Sequence, residues 1–353
     1  MQNDCFYVIG LMSGTSLDGI DLVYVSFDKK NYQNFKILAA KTYEYNSFWQ
    51  SKLANAINSL PADVKVLDVS YGRYLAEVIN VFTDEFSIQN LDFIASHGHT
   101  VFHQPDKGIT LQIGNGQTLA NITQQQVICD FRSQDVALGG QGAPLVPIGD
   151  ELLFKNYDYC INLGGFANIS YKFNDNRVAF DVCPVNIVLN HYAQKLGKPY
   201  DKNGDIAANN SVNTSLLKAL NSLPFYTKLP PKSLGLEWVK ETVFPLINRL
   251  ESSPEKVIAT FSQHVAQQLA TVVRPKTSIL VTGGGAFNSY LIQELSNNIQ
   301  TKINLPSQEL INFKEALIFA FLGVLRFNNE VNCLKSVTGA QKNHSSGEIF
   351  NAV

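Results

Sequence analysis

The sequence predicts an α/β protein of two domains, and three observations carry that reading. The chain has 353 residues, which at about 150 residues per domain gives two. An apolar strand, a turn containing glycine and a second apolar strand occur near residues 6–30 and again near 159–196, followed each time by further strands and then helices. Between the two lies a loop dense in Gly and Pro, Leu138 to Pro147, which reads as the crossing between halves. Hydrophobic residues make up 45% of the chain, enough apolar surface for two cores.

Taken in order, Phe6–Leu11 and Ile20–Phe27 read as a hairpin, and Phe35–Tyr43 as a third strand. Helical periodicity follows at Trp49–Leu60 and Val66–Phe86, the second with a long amphipathic face. Leu91–Ser96 is a buried strand running into His97-Gly98-His99-Thr100. Short strands at Thr110–Ile113 and Val127–Asp130 bracket a small helix. The second half gives strands at Tyr159–Leu163, Asn168–Phe173 and Arg177–Asp181, then a helix at Asn186–Leu196. A polar region, Asp201 to Trp238, leads to a helix at Glu255–Val273, a strand at Ser278–Thr282, three glycines and a helix at Asn288–Leu295. The last long helix covers Lys314–Phe327.

Charge narrows the class of partner. Lys plus Arg number 28 and Asp plus Glu 30, a formal net charge of −2, and charged residues are only 16% of the chain. The polar remainder is rich in amides, 33 Asn and 20 Gln, scattered among apolar residues and forming no tract beyond Gln124-Gln125-Gln126. A near-neutral chain without a basic run lacks the electrostatic footprint of a nucleic-acid binder. The start of the sequence has neither a basic nor an apolar leader segment, and the longest apolar run, Ala316 to Leu325, is about half of the roughly 20 residues that span a bilayer. Five widely spaced cysteines with no C-x-x-C pair argue against a disulfide framework or a zinc ribbon. A cytoplasmic enzyme with polar ligand surfaces and no membrane contact is the expectation.

Three glycine turns each follow an apolar strand. In Met12-Ser13-Gly14-Thr15-Ser16-Leu17-Asp18-Gly19-Ile20-Asp21, Gly14 and Gly19 let backbone N–H groups turn inward and the hydroxyls of Thr15 and Ser16 add donors, a nest for phosphate oxygens. Asp18 beside it is placed to hold Mg2+, directly or through water. The second turn contains Gly164, Gly165 and Asn168, and the third runs Thr282-Gly283-Gly284-Gly285-Ala286-Phe287-Asn288 into a helix, whose free N–H groups attract anions. No Walker-type G-x-x-x-x-G-K-[ST] run occurs. One hairpin turn per half plus a strand–glycine–helix turn is the phosphate-1, phosphate-2 and adenosine layout of the actin, Hsp70 and sugar-kinase superfold. The expected fold is therefore two ribonuclease-H-like domains around a central cleft. Domain I is expected to hold residues 1–130, with 331–353 packing back on it, and domain II residues 131–330.

On these residues the chain resembles the anhydro-N-acetylmuramic acid kinases of peptidoglycan recycling, as a divergent member. Gly10 through Asp21 is similar to the family's N-terminal signature. Asp130-Phe131-Arg132 with Gly139 to Pro147, Asn162 to Ile169, Thr282 to Asn288, Lys314-Glu315-Ala316 and Val337 to Ala340 match further blocks. The resemblance implies an ATP- and Mg2+-dependent enzyme that cleaves the 1,6-anhydro bridge of the amino sugar with water and phosphorylates the released O6. It implies a homodimer as well. It makes Asp181 the general base, the glycine turns with Leu17, Ile20 and Asp21 the ATP site, and His97, His99, Arg132, Asn186 and Glu315 the sugar contacts.

The residues themselves leave alternatives. Asp181 suits a helix cap, Arg132 an interdomain salt bridge in place of a carboxylate or phosphate contact, and Glu315 a pairing with lysine on its helix. His97, His99 and His103 have the spacing of metal ligands on one face, a minor alternative that would make a hydrolase. Departures from the family pattern fall within motifs. Val182, Cys183 and Val185 replace a Thr and two Gly after Asp181, adding bulk where substrate or γ-phosphate is expected to approach. His99 replaces Gln, Asn115 replaces Asp, and Leu234 and Leu236 stand where Thr and Arg are usual. A nucleotide- or sugar-binding member with changed substrate or little activity is the second functional reading.

Overall fold

β-Branched and aromatic runs form thirteen strands among the residues that the computed structural model describes, 4–14 and 17–353. In chain order they are β1 (Cys5–Ser13), β2 (Gly19–Asp28), β3 (Phe35–Glu44), β4 (Phe93–Ser96), β5 (His99–Gln104), β6 (Ile109–Ile113), β7 (Val127–Cys129), β8 (Tyr159–Leu163), β9 (Phe166–Phe173), β10 (Asn176–Pro184), β11 (Ile279–Thr282), β12 (Ile303–Asn304) and β13 (Glu348–Phe350). The chain divides into two units. The first holds the described residues up to Phe154 together with Phe313–Val353, and the second is Lys155–Asn312.

The first unit carries a six-stranded sheet in the order β13-β7-β4-β1-β2-β3. β2 is antiparallel to β1 and to β3, whereas β4 runs parallel to β1 and β7 parallel to β4. The second unit orders its strands β10-β9-β8-β11-β12, with β9 antiparallel to both neighbours and β8, β11 and β12 parallel. Numbered from its own first strand, and apart from β13, each main sheet reads 3-2-1-4-5 with the second strand reversed. The two halves thus share one ribonuclease-H-like architecture. β5 and β6 form a separate two-stranded ribbon in the first unit.

Each sheet buries apolar side chains against helices of its own unit. In the first, Ile9, Leu11, Ile20 and Leu22 meet the helix Pro61–Glu85 through Leu67, Tyr71, Leu75, Ile79 and Phe82, residues spaced three and four apart on one face. Pro61 opens that helix, where its missing N–H costs nothing. The helix Gln308–Phe327 also comes close to the sheet: a Cβ at Gly10 would stand 2.7 Å from the Ala320 Cβ, so only glycine fits there. In the second unit, Ile161, Leu163 and Ile169 pack with Val188 and Leu189 of the helix Asn186–Gln194 and with Phe261, Val265 and Leu269 of the helix Pro254–Ala270.

The unit boundaries differ from the expected 130/131 and 330/331. Residues 131–154 do not cross between halves but fold with the first unit. Phe131 lies 5.8 Å from Phe319, Phe154 sets its edge against Phe35, and Gly149 abuts Ile318. Asp150 and Lys314 form a buried ion pair at 2.7 Å. The crossing is therefore at Phe154–Lys155, after the short helix Pro147–Leu152. The polar stretch 201–238 is not a plain loop: it contains short helices at Asp205–Ala208 and Thr214–Asn221, the second capped by the Asn213 side chain. Among the described residues, no helix is long and apolar enough to cross a membrane.

Candidate active site

In the second unit the chemistry gathers around Asp181 near the end of β10. Asp181 pairs with Asn168 across the β9–β10 ladder, just before a bulge that shifts the register between Asp181 and Cys183. The Asn168 amide donates to Asp181 Oδ1, and the Leu234 N–H donates to Oδ2 at 2.7 Å. Burial raises the carboxyl above its ordinary value, and these two donors oppose that without cancelling it. Asp181 is not the cap of the next helix: that helix starts at Asn186 after Val185, with no side-chain cap.

The bulky replacements beside Asp181 do not fill an approach route. Val182, Cys183 and Val185 are buried in the core of their unit, and Val185 takes φ −133°, ψ −97°, so no positive φ is required there. Bulk expected at the site is packing inside the domain. Leu234 likewise contributes through its backbone N–H, which its side chain does not alter.

The two glycine turns of this unit meet around Asn186. Its N–H donates to the Gly164 carbonyl and its amide to the Leu163 carbonyl at 3.1 Å, while Val185 N–H donates to the Gly165 carbonyl at 2.8 Å. A Cβ placed on Gly284 or Gly285 would fall within 4 Å of the Asn186 amide group. Gly283 needs to be glycine, having φ +81° and no room for a Cβ beside Asn162 and Leu163. Gly284 and Gly285 do not lead straight into an α-helix. They start a 3-10 turn, Gly284–Phe287, and the α-helix begins at Ser289 with Asn288 as its cap, Oδ1 accepting from the Leu291 N–H at 2.9 Å. The side-chain oxygen of Asn288, expected at the nucleotide, is occupied in holding that helix end.

In the first unit His97 and Arg132 are bonded to each other. Arg132 Nε and Nη2 lie 3.1 and 2.9 Å from His97 Nε2, and Nη1 donates to the Gly142 carbonyl at 2.6 Å. His97 Nδ1 lies 2.8 Å from the Gly98 carbonyl. A carbonyl requires a donor and a guanidinium requires an acceptor, so His97 is neutral with its proton on Nδ1. Burial first, then the Arg132 charge, holds its pKa well below the ordinary value. Burial brings Arg132 to about 10, and its hydrogen-bonded partners His97 and Gly142 belong to its own unit. Glu315 is exposed, yet the surrounding protein raises its carboxyl, with Arg132 opposing.

His99 goes elsewhere. It is buried, its Nδ1 3.4 Å from Ser13 Oγ, where the hydroxyls of Ser13, Tyr45 and Tyr71 bond to one another at 2.5–2.7 Å. Desolvation lowers its pKa to about 4. This tyrosine pair was missed in the sequence because Tyr45 and Tyr71 carry no motif. His97 lines a small cavity with Asp68, Gln112, Asn115, Asp130 and Ser133. Asn115 caps the helix Gly116–Thr123 by accepting from the Thr118 N–H, a task Asp performs equally well. His97, His99 and His103 form no metal cluster; among the described residues the one group of three candidate ligands is Asp135, Cys333 and His344.

Of the first glycine turn, Thr15 and Ser16 lie outside the described residues. The Gly14 carbonyl accepts from the Leu17 N–H at 3.4 Å, and Leu17 rather than Gly19 takes the positive φ, +61°. Gly19 is needed for space, since a Cβ there would lie 2.6 Å from the Tyr43 carbonyl. Ile20 is buried, Asp18 is exposed, and Asp21 accepts from Thr42 Oγ1 at 2.6 Å. Burial and the neighbouring Asp18 charge raise the Asp21 carboxyl, partly offset by that bond.

A family model described as anhydro-N-acetylmuramic acid kinase matches residues 6–352. A protein of that name from Haemophilus influenzae is 34% identical over 377 residues, covering 98% of this chain and 97% of its own. One from Bacillus cereus is 32% identical, covering 97% and 98%. Among solved structures, the chain is similar to the activator of 2-hydroxyisocaproyl-CoA dehydratase from Clostridium difficile with bound ADPNP, at a TM-score of 0.47 and 14% identity, covering 92% and 97%. With nearly its whole length matched, the chain belongs to the anhydro-N-acetylmuramic acid kinase family.

Proposed function

We propose that this chain hydrolyses the 1,6-anhydro bridge of anhydro-N-acetylmuramic acid and transfers the γ-phosphoryl group of ATP to O6, giving N-acetylmuramic acid 6-phosphate and ADP. Asp181 takes a proton from water as the water oxygen bonds to the anomeric carbon. The C1–O6 bond breaks, and O6 takes up the phosphoryl group. What carries this reading is the Asp181 carboxyl: it is fixed by Asn168 and Leu234, and burial makes it more basic than an exposed aspartate. Asn186 braces the Gly164–Gly165 and Gly283–Gly285 turns, whose small residues suit a nucleotide. His97 and Arg132 serve as one hydrogen-bonding unit toward the sugar, with Glu315 nearby. His99 acts from behind, through Ser13.

Asp18, an exposed carboxylate beside the first glycine turn, is the residue that would hold Mg2+. When bound, the ion neutralises charge developing on the transferred phosphoryl group. A cytoplasmic homodimer is part of the same proposal, supported by the family resemblance and checked by whether light scattering gives twice the chain mass of 39.1 kDa.

The test is ADP release with the anhydro sugar, with the open-ring sugar and with none. Asp181→Asn is expected to lower sugar-dependent release by about 10²–10⁴-fold while ATP binding persists. Unchanged turnover removes Asp181 from the role of base. Equal ADP release with and without the anhydro sugar favours the second reading, a nucleotide-binding member of changed substrate.

A further inference from the structure

Away from the proposed catalytic residues, the C-terminal segment of the first unit holds a group of side chains that the proposed reaction does not use. Cys333 and His344 form an isolated antiparallel bridge, exchanging both backbone bonds at 3.1 and 3.2 Å. Directly opposed residues of such a pair project to the same side. Asp135, in the short helix Ser133–Ala137, meets them there, and one ligand atom from each of the three lies within 4.8 Å of the others. All three are buried: Asp135 is 0%, Cys333 2% and His344 5% exposed. The surroundings hold them in place. Asp135 accepts from Gly142 N–H at 2.7 Å and from Thr338 Oγ1 at 2.8 Å, while Asn332 ties its strand to Ser346 through both ends of its amide.

The histidine supplies the second observation. His344 Nδ1 lies 3.1 Å from the Lys342 carbonyl, so the ring's proton is on Nδ1. Nε2 is buried without a hydrogen-bond partner and faces Asp135 Oδ1 at 3.5 Å. A carboxylate, an unpartnered imidazole nitrogen and a thiol thus meet in one buried place. A positive charge between the nitrogen and the carboxylate, from a metal ion or a proton, removes the cost of leaving them unpaired.

We propose that Asp135, Cys333 and His344 bind a zinc-class divalent cation. Imidazole nitrogen, thiolate and carboxylate are the donor types zinc takes. Binding releases the thiol proton, and the thiolate and carboxylate then neutralise the two positive charges. The metal joins the 332–346 segment to the helix that follows Arg132, and so stiffens the Gly142 loop on which the Arg132 guanidinium rests.

The test uses the full-length, tag-free protein stripped of metal and titrated with Co2+. One equivalent is expected to bind with a thiolate-to-cobalt charge-transfer band in the near ultraviolet, and Zn2+ is expected to displace it. Cys333→Ala should abolish the band and His344→Gln should weaken Co2+ binding by about tenfold or more, with Cys5→Ser unchanged. X-ray absorption of the zinc-loaded wild type, which needs no variant to fold, should show one sulfur and one imidazole in the metal shell. Wild-type protein that gives no band, or a shell without sulfur, overturns the site: a proton then fills the place between His344 and Asp135. A band that survives both Cys333→Ala and His344→Gln overturns it equally.

Discussion

His97 illustrates how single side chains here are set by what surrounds them. Its two nitrogens have opposite duties, Nδ1 toward the Gly98 carbonyl and Nε2 toward Arg132, so neither tautomeric exchange nor protonation is permitted. Nitrogen-15 NMR is expected to show a single neutral Nδ1–H tautomer from pH 8 to pH 5; an imidazolium signal at pH 6 contradicts the assignment. Arg132→Lys replaces a fork that serves His97 and Gly142 together by one ammonium, and is expected to lower kcat/KM for the sugar by about 10–100-fold while mixing the His97 tautomers. For Asp181 the sign is also fixed. The base works deprotonated and its pKa is raised, so the acid limb of the kcat/KM profile falls above the ordinary aspartate value of 3.8. Asp181 was legible through the family resemblance, Arg132 through that resemblance and its bidentate guanidinium, and the glycines through their place after apolar strands. Leu234 was not, because its contribution is a backbone N–H, which every residue but proline has, delivered across 53 positions. Nor was the fate of Val182, Cys183 and Val185, since the letters say how large a side chain is but not which way it points.

At the scale of elements, the strands and long helices were legible because periodicity encodes which face is buried. The helix expected at Val66–Phe86 is Pro61–Glu85, and that expected at Glu255–Val273 is Pro254–Ala270. What escaped was short or non-periodic: β5, which pairs locally with β6, together with β12, β13 and the helices Ser133–Ala137 and Pro147–Leu152. β13, for instance, exists by pairing with β7, more than 200 residues earlier. The helix expected from Asn288 begins at Ser289 with Asn288 as its cap, and the 3-10 turn Gly284–Phe287 before it was not anticipated. Asn288→Ala is expected to destabilise the second unit by about 1 kcal/mol and Asn288→Asp to keep most of that, measured by urea unfolding. Gly10→Ala brings a methyl against Ala316 and Ala320 and is expected to cost about 1–3 kcal/mol in the first unit.

For the whole molecule, the low charge and the many amides noted in the sequence accompany buried histidines kept neutral. His97, His99 and His264 all have pKa values depressed by burial, His99 to about 4 and His264 to about 3. Unfolded histidine titrates near 6.5, so below that pH the unfolded chain binds protons the folded chain refuses. Stability is therefore full above pH 6.5 and falls with pH toward the folded values. At pH 5 His99 and His264 each cost roughly 2 kcal/mol, from 1.5 pH units at about 1.36 kcal/mol each, and His97 acts in the same direction. Urea midpoints that are flat from pH 7 to pH 5 contradict this. The shared strand order of the two sheets reflects one architecture used twice, but the copies are not joined end to end: the second unit leaves the first at Phe154 and returns at Phe313. Its core draws only on residues 155–312, so that fragment expressed alone is expected to fold, with a cooperative transition by circular dichroism. The first unit has no such independence. If its insert melts, the remaining domain must fold around a slack loop of that whole length, an entropic penalty of about 4–5 kcal/mol by loop-closure scaling. A folded insert removes this burden by holding its own two ends at a fixed separation. Polypeptide connectivity by itself thus ties the melting of one half to that of the other, so that damage to the insert loosens a sheet it need never touch.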